Sequence, residues 1–391
     1  MKDIEEFDIS DITKDLAMQV ESEVNDGDKE NKSNKKKKKN KFPKWLKAGI
    51  IAFIVTCILC IPIIFVLVKL DKINKVDFDE ITPAQEETFD FSEGDSGDGN
   101  KNQYNAMDLN WENAVTGSTR YDKDIVNILL VGADSRSTSS YRGNSDTMII
   151  FTIDKKNKNV KMTSIMRDLY VPIPGKNDNK INSAYSSGGV PLLKQTIEEN
   201  FKVAIDYSVI VEFDTFKKVI ELLGGVNIEI NEKEAKNINK NTPKTCKQLK
   251  AGVQRLDADQ ALWFSRIRKV SSDIYGRDDF GRTARQRAVL TSIYEEYKTL
   301  SLNEVIKLVD EIFPYITTDM SSETIVTTAA LVLSFDVEEI ETFRLPMDRA
   351  FEAAKVTPVG YKKGMEVLLI NNYMKENVNA MHQFIYGNTD Y

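Results

Sequence analysis

"TMIIFTIDKKNKNVKMTSIMRD", residues 147–168, reads as two strands joined by a hairpin. Residues 147–154 and 159–166 are rich in Ile, Val, Thr and Met, types that suit a half-buried pleated surface. The Lys/Asn run between them, 154–160, supplies the polar residues of a turn. The second strand stops at Arg167–Asp168, a Pro/Gly loop follows to residue 175, and Lys180 and Asn182 come just beyond it. A surface ion pair accounts for such a strand end but is worth little. An arginine waiting for an anion accounts for it equally, and the rest of the chain decides between them.

Working outward, "IVNILLVG" (125–132), "YSVIVEF" (207–213) and "VNIEI" (226–230) also read as strands. The first is a continuous apolar run, as expected of a strand covered on both faces. Helical stretches separate them: "GVPLLKQTIEENF" (189–201), "FDTFKKVIELLGG" (213–225), "DADQALWFSRIRK" (257–269) and "RTARQRAVLTSIYEEYK" (282–298). In the second of these, Phe216, Val219, Ile220 and Leu223 share one face, and Gly224–Gly225 supplies the stop. "ETFRLP" (341–346) and two later helices complete the pattern. The alternation predicts an α/β domain, a central mixed β-sheet covered by helices on both sides.

Upstream the composition changes. Residues 48–68 form an uncharged run of 21 residues, matching the roughly 20 that span a bilayer as a helix. Lysines crowd its N-terminal side and acidic residues its C-terminal side, so the positive-inside rule puts the N-terminus in the cytoplasm. The expected organisation is a cytoplasmic disordered tail over 1–44, lysine-rich at its end, and a transmembrane helix over 45–69. An acidic extracellular stalk over 70–120 and an extracellular catalytic domain over 121–391 follow. The chain is thus expected to be a single-pass protein of the cell membrane. A formal net charge of −7 argues against nonspecific nucleic-acid binding.

The residue inventory narrows the chemistry. The single histidine, His382, close to the C-terminal end of the sequence, argues against a Ser-His-Asp triad, a Cys-His dyad or a His-rich zinc site. Cys57 and Cys60 lie within the apolar run and Cys246 stands alone outside it, so no disulfide framework is implied. Carboxylates, arginines and a hard metal ion remain. They gather at element ends: Asp134 and Arg136 in "GADSR", Arg142 and Asp146 in "RGNSDT", Arg167 and Asp168 in "MRD". Arg266 and Arg268 follow in "FSRIRK", then Asp279, Arg282, Arg285, Gln286 and Arg287 in "DDFGRTARQR". Arg282 and Gln286 are four apart on one helix face, whereas Arg266 and Arg268 converge only if their helix ends there. Converging guanidinium forks favour phosphate oxygens, and paired aspartates suit Mg²⁺ bridging them. The loop 132–146 lacks the nucleoside-triphosphate pattern.

In these segments the sequence resembles the LytR–CpsA–Psr family of bacterial cell-envelope proteins. The likeness runs in order through "NILLVGADSR", "SDTMIIFTID", "VKMTSIMRDLYVPIPG", "KINSAYSSGG", "VEFDTFKKVIELLGGVNIEI", "LDADQALWFSRIR" and "DFGRTARQ". It implies a sheet between helices that holds a polyprenyl diphosphate with its chain in an apolar groove. It implies transfer of an anionic glycopolymer, such as teichoic acid or capsule, from that carrier to peptidoglycan as a phosphodiester, with Mg²⁺ (or Mn²⁺) as cofactor. By the same resemblance, Asp134 and Asp146 hold the metal. Arg136, Arg142, Arg167, Lys180, Asn182, Arg266, Arg268, Arg282, Arg285 and Gln286 form the diphosphate set. Arg167, Asp168, Asp134 and Asp146 are the catalytic candidates, the three aspartates remaining open as the base. One departure is Asn144, where the family commonly has arginine; Arg142 is the nearest substitute. Two other readings share the site: a polyprenyl-diphosphate hydrolase using water, and a non-catalytic polyprenyl-phosphate-binding regulator.

Overall fold

The computed structural model describes residues 74–75, 102–111, 114–133 and 145–389, with breaks within 301–310 and at 336 and 338. The expected tail and transmembrane helix lie outside these residues. So do Asp134, Arg136, Arg142 and Asn144.

The strands are β1 (Asn74–Lys75), β2 (Gln103–Asn105), β3 (Ile125–Ala133), β4 (Ser145–Asp154), β5 (Asn159–Ile165), β6 (Leu169–Val171) and β7 (Asn179–Lys180). They continue as β8 (Tyr207–Val211), β9 (Val226–Ile230), β10 (Gly252–Leu256), β11 (Thr317–Thr318), β12 (Glu341–Leu345), β13 (Glu352–Thr357) and β14 (Met365–Leu369). The helices that position the site are α1 (Asn182–Phe201), α2 (Phe213–Leu222), α3 (Glu232–Asn241), α4 (Ala258–Arg266), α5 (Asp278–Lys298), α6 (Ser322–Leu333) and α7 (Met374–Tyr386).

A mixed seven-stranded sheet, ordered β1-β11-β8-β3-β4-β5-β12, forms the centre. The hairpin read from the sequence is there: β4 and β5 pair antiparallel from Asp154↔Asn159 to Met148↔Ile165. Successive residues feed opposite cores, as a two-residue period requires. Leu129, Val131, Met148 and Ile150 pack with Leu193, Ile197 and Phe201 of α1 and with Val378 and Met381 of α7. Ile128, Ile149 and Ile153 pack on the other face with Tyr294 of α5 and Val332 of α6. Helices therefore flank both faces of the sheet.

A second sheet, β2-β13-β14-β6-β7, has its own apolar cluster around Tyr170, Ala354, Val356 and Val367. Packed structure accordingly begins before residue 121. β2, within the expected stalk, pairs in parallel with β13 about 250 residues away, and the Trp111 indole donates to Asp178 at 2.7 Å. β1 likewise pairs with β11. Acidic, glycine-rich composition nearby conceals such short strands, because their partners are distant in sequence. The β9–β10 ribbon packs with α2, α3 and α4 as a third apolar cluster.

Two helix boundaries differ from expectation. α1 opens at Asn182 rather than at residue 189 and is kinked at Gly188–Gly189, where Gly189 has φ +67°. The "NSAYSS" segment thus forms the first turns of a helix, and Pro191 starts the second segment, a place where its missing N–H is harmless. α5 opens at Asp278, one turn before Arg282.

Leu129 is fully buried at the middle of β3. Leu129→Ala is expected to destabilise the fold by about 2–5 kcal/mol, measured by urea unfolding; a loss below about 0.5 kcal/mol is not compatible with this packing.

Candidate functional site

Arg167 and Asp168 occupy the turn where the chain leaves the large sheet at the end of β5 and enters the small one at β6. Both sheets hold that turn. The Met166 N–H donates to Leu345 of β12, and the Leu368 N–H of β14 donates to the Asp168 carbonyl at 2.8 Å. Asp146 stands at the start of β4, and Lys180 on β7 pairs with Tyr170. α4 ends at Arg266 with Ile267 extended, which turns Arg268 back toward the sheet. α5 then presents Asp279 and Arg282 three residues apart.

The side chains from these five places meet. Asp146 Oδ1 lies 2.6 Å from Arg167 Nη1 and 3.6 Å from both Arg268 Nη2 and Arg282 Nη1. Asp279 Oδ1 is 2.7 Å from Arg282 Nη2, with Arg167 and Arg268 at 3.7 and 3.8 Å. Asp168 takes Lys180 at 2.7 Å and lies 3.6 Å from Arg167. Burial raises the Asp146 carboxyl, but Arg282, Arg167 and Arg268 outweigh it and hold the group below the usual carboxylate range. The Asp168 carboxyl is raised by burial and held low overall by Lys180 and Arg167. Burial pushes the almost fully enclosed Arg282 down, opposed by Asp279.

Four cations thus face three carboxylates. The hydrogen-bonding capacity is incompletely used: the Nε atoms of Arg167 and Arg282 have no acceptor, and neither Asp279 oxygen has a well-directed donor. Buried polar atoms of this kind are costly unless something else satisfies them. Three guanidiniums converging on one carboxylate oxygen mark a place suited to a phosphate oxygen.

Other expected members stand elsewhere. Arg285 is a correction: it is completely buried, donating to Glu234 at 2.8 Å, to the Ile267 carbonyl at 3.2 Å and to the Val270 carbonyl at 2.9 Å. Three residues beyond Arg282, it points into the third core and fixes the loop that carries Arg268. Glu234 in turn caps α3, its Oε2 accepting the Asn231 N–H at 3.0 Å. Arg266 is exposed and lies over the Phe213 ring at 4.7 Å, away from the cluster's ion pairs. Gln286 is half-buried one turn after Arg282. Asn182 is buried at the first turn of α1, its Oδ1 without a donor. Asp279 is the participant to which the sequence assigned no role; its three-residue spacing from Arg282 was the available signal.

The LytR_cpsA_psr family model matches residues 89–374, most of the chain and every element of this cluster. The chain belongs to the LytR_cpsA_psr family. Among curated relatives, the polyisoprenyl-teichoic acid–peptidoglycan teichoic acid transferase TagV of Bacillus subtilis is 35% identical over 181 residues, 44% of this chain and 44% of TagV. TagT of the same organism, named as the same kind of transferase, is 36% identical over 183 residues, covering 46% of this chain and 55% of TagT. Regulatory protein MsrR of Staphylococcus aureus is 32% identical over 235 residues, 58% of this chain and 66% of MsrR. The chain therefore matches about half the length of the two transferases. A solved TagT structure, bound to LIIa-WTA, superposes with a TM-score of 0.54 at 27% identity, covering 70% of this chain and 96% of that one. B. subtilis TagV gives 0.53 at 25%, covering 68% and 98%.

Two outcomes follow for the family site. Glu234→Ala leaves Arg285 buried without its partner and is expected to cost about 3–5 kcal/mol in urea unfolding, whereas Glu234→Leu with Arg285→Met costs less than either single change. The low-held carboxyls of Asp146 and Asp168 contribute stability fully present above their unfolded value of 3.8 and lost as pH falls below it. Between about pH 5 and about pH 3, Asp146→Asn should therefore lose less stability than the wild type; equal losses would remove Asp146 from the cluster.

Proposed function

We propose that this protein transfers an anionic, phosphate-linked glycopolymer from a polyprenyl diphosphate carrier to peptidoglycan. The observation that carries the reading is the convergence of Arg167, Arg268 and Arg282 on one oxygen position, with two guanidinium nitrogens left without acceptors. The transferase names of TagV and TagT support the same chemistry. A hydroxyl of the acceptor glycan attacks the glycan-side phosphorus. The bond from that phosphorus to the bridging oxygen breaks, polyprenyl phosphate leaves with the electron pair, and the hydroxyl proton is released. Such a transfer needs positioning and charge neutralisation rather than a histidine.

The carboxylates suit steering better than proton abstraction, because an acid held below its usual range is a weak base. Asp168 orients Arg167 and Lys180, and Asp146 keeps three guanidiniums together until phosphate oxygens replace it. The ionised Asp146 carboxylate also fits a hard dication, which one or two carboxylates and substrate phosphates ordinarily hold. Mg²⁺ bound there, with Asp134 as its second carboxylate, would supply further charge neutralisation. Half-buried apolar side chains of the sheet face, among them Leu130, Phe151 and Val209, together with Leu290 of α5 above them, offer a bed for the polyprenyl chain. The uncharged run at 48–68 would anchor the chain in the cell membrane with this domain outside.

The test supplies the full chain, in detergent, with a labelled polyprenyl-diphosphate oligosaccharide and a peptidoglycan oligomer, with Mg²⁺ or EDTA. Phosphodiester-linked product by mass spectrometry is expected, and Arg167→Ala or Arg282→Ala should lower its rate by about 10²–10³-fold. Glycan phosphate formed without acceptor would identify a hydrolase. Bound lipid without turnover would favour a regulatory role, the class in the name of its relative MsrR.

A further inference from the structure

A second concentration of charge lies outside the phosphate cluster. "KNTPKTCKQLK", residues 240–250, carries four lysines and no acidic residue, in a chain of net charge −7. Lys240 lies in the last turn of α3, and Lys244, Lys247 and Lys250 in the loop that leads to β10. All four are exposed, and among the described residues none forms an ion pair. The carboxylates around the loop are engaged elsewhere: Glu232 holds Lys236, Asp259 holds Lys217, and Asp257 caps α4. One exposed lysine is an ordinary solvated residue. Four gathered in one loop repel one another and suit an anion that meets several at once.

The loop is built rather than loose. The Asn239 amide closes its neck, donating to the Leu249 carbonyl and accepting the Leu249 N–H, both at 2.9 Å. That pairing brings the backbone at Lys250 back beside that at Lys240. The Gln260 amide of α4 donates to the Lys247 carbonyl at 2.6 Å, and the Cys246 N–H donates to the Pro243 carbonyl at 3.0 Å. Leu249 is buried in the third apolar cluster. A backbone fixed in this way presents its charges without the ordering cost of a free tail.

The place of the loop decides which anion it suits. α4 begins where Gln260 holds Lys247 and ends at Arg266, two residues before Arg268 of the cluster. Its nine residues span about 13 Å. A diphosphate at Arg167, Arg268 and Arg282 is too short to touch the lysines as well. A polymer extending from that diphosphate, with phosphates along its length, can meet both. The loop exposes no large apolar side chain, so it lacks the face that an interfacial helix buries in a bilayer.

We propose that the 240–250 loop holds the polyanionic part of the donor, with Lys240, Lys244, Lys247 and Lys250 meeting phosphates of the polymer repeats. The proposal rests on the donor class given above and names how its polymer is recognised beyond the diphosphate.

The experiment mixes the full chain in detergent with a glycerol-phosphate oligomer and follows acetylation of each lysine by mass spectrometry. Reading every lysine separately lets lysines 35–39 report on their own. A neutral dextran oligomer and phosphatidylglycerol mixed micelles serve as comparison probes. The oligomer is expected to slow acetylation at the four loop lysines in low salt and to lose that effect in high salt. Changing Lys240, Lys244, Lys247 and Lys250 together to Gln is expected to weaken oligomer affinity about tenfold or more, without lowering the melting temperature. The same variant should raise the KM of a polymer-bearing donor more than that of a polymer-free one. Unchanged acetylation with the oligomer overturns the proposal, as does unchanged oligomer affinity in the variant. Equal protection by dextran overturns it too, and protection by the micelles but not the oligomer identifies a lipid surface instead. Lysine-dependent oligomer binding in a protein that performs no transfer would overturn the transferase reading and leave the loop's role standing.

Discussion

Guanidinium groups repel one another, and the site depends on holding three of them around a single point. Asp146 performs that task from the start of β4, and Asp279 backs it from α5. Each carboxylate oxygen stands where a phosphate oxygen would be welcome, so the cluster is already shaped by negative charge. In the proposed transfer, substrate binding is an exchange of acceptors rather than an assembly of repelling cations.

The arginines are not positioned by the carboxylates alone. Arg167 is fixed because its turn is sewn to both sheets, and Arg268 because Arg285 clamps the carbonyls on either side of it. The clamp works only because Glu234 neutralises it in a fully enclosed place. An arginine outside the cluster thus sets the geometry of one within it.

Much of this was legible from the chain itself. The β3, β4, β5, β8 and β9 strands announce themselves through β-branched runs, and the 154–160 turn through its polar residues. Arg167 was conspicuous because an apolar strand ended on it, and Arg268 because the helix before it had to stop for it to converge. Arg285 was misread for a definite reason. Spacing on a helix says which residues are neighbours, but its partner Glu234 is 51 positions away and its burial depends on the third core. The small sheet escaped notice similarly: β2, β6 and β7 are each two or three residues long and acquire meaning only from pairing. Asp134, Arg136 and Arg142 remain expectations of the sequence.

That pairing has a consequence for the order in which the protein becomes competent. A chain made from its N-terminus exposes Arg167 well before the strands that hold its turn. Those strands, β12 and β14, end only at residues 345 and 369. Until those late residues emerge, Met166 and Asp168 lack their backbone partners and the arginine has no defined direction. Any chain that stops short of β14 consequently leaves the Arg167 turn unsewn, however much of the large sheet it has already built.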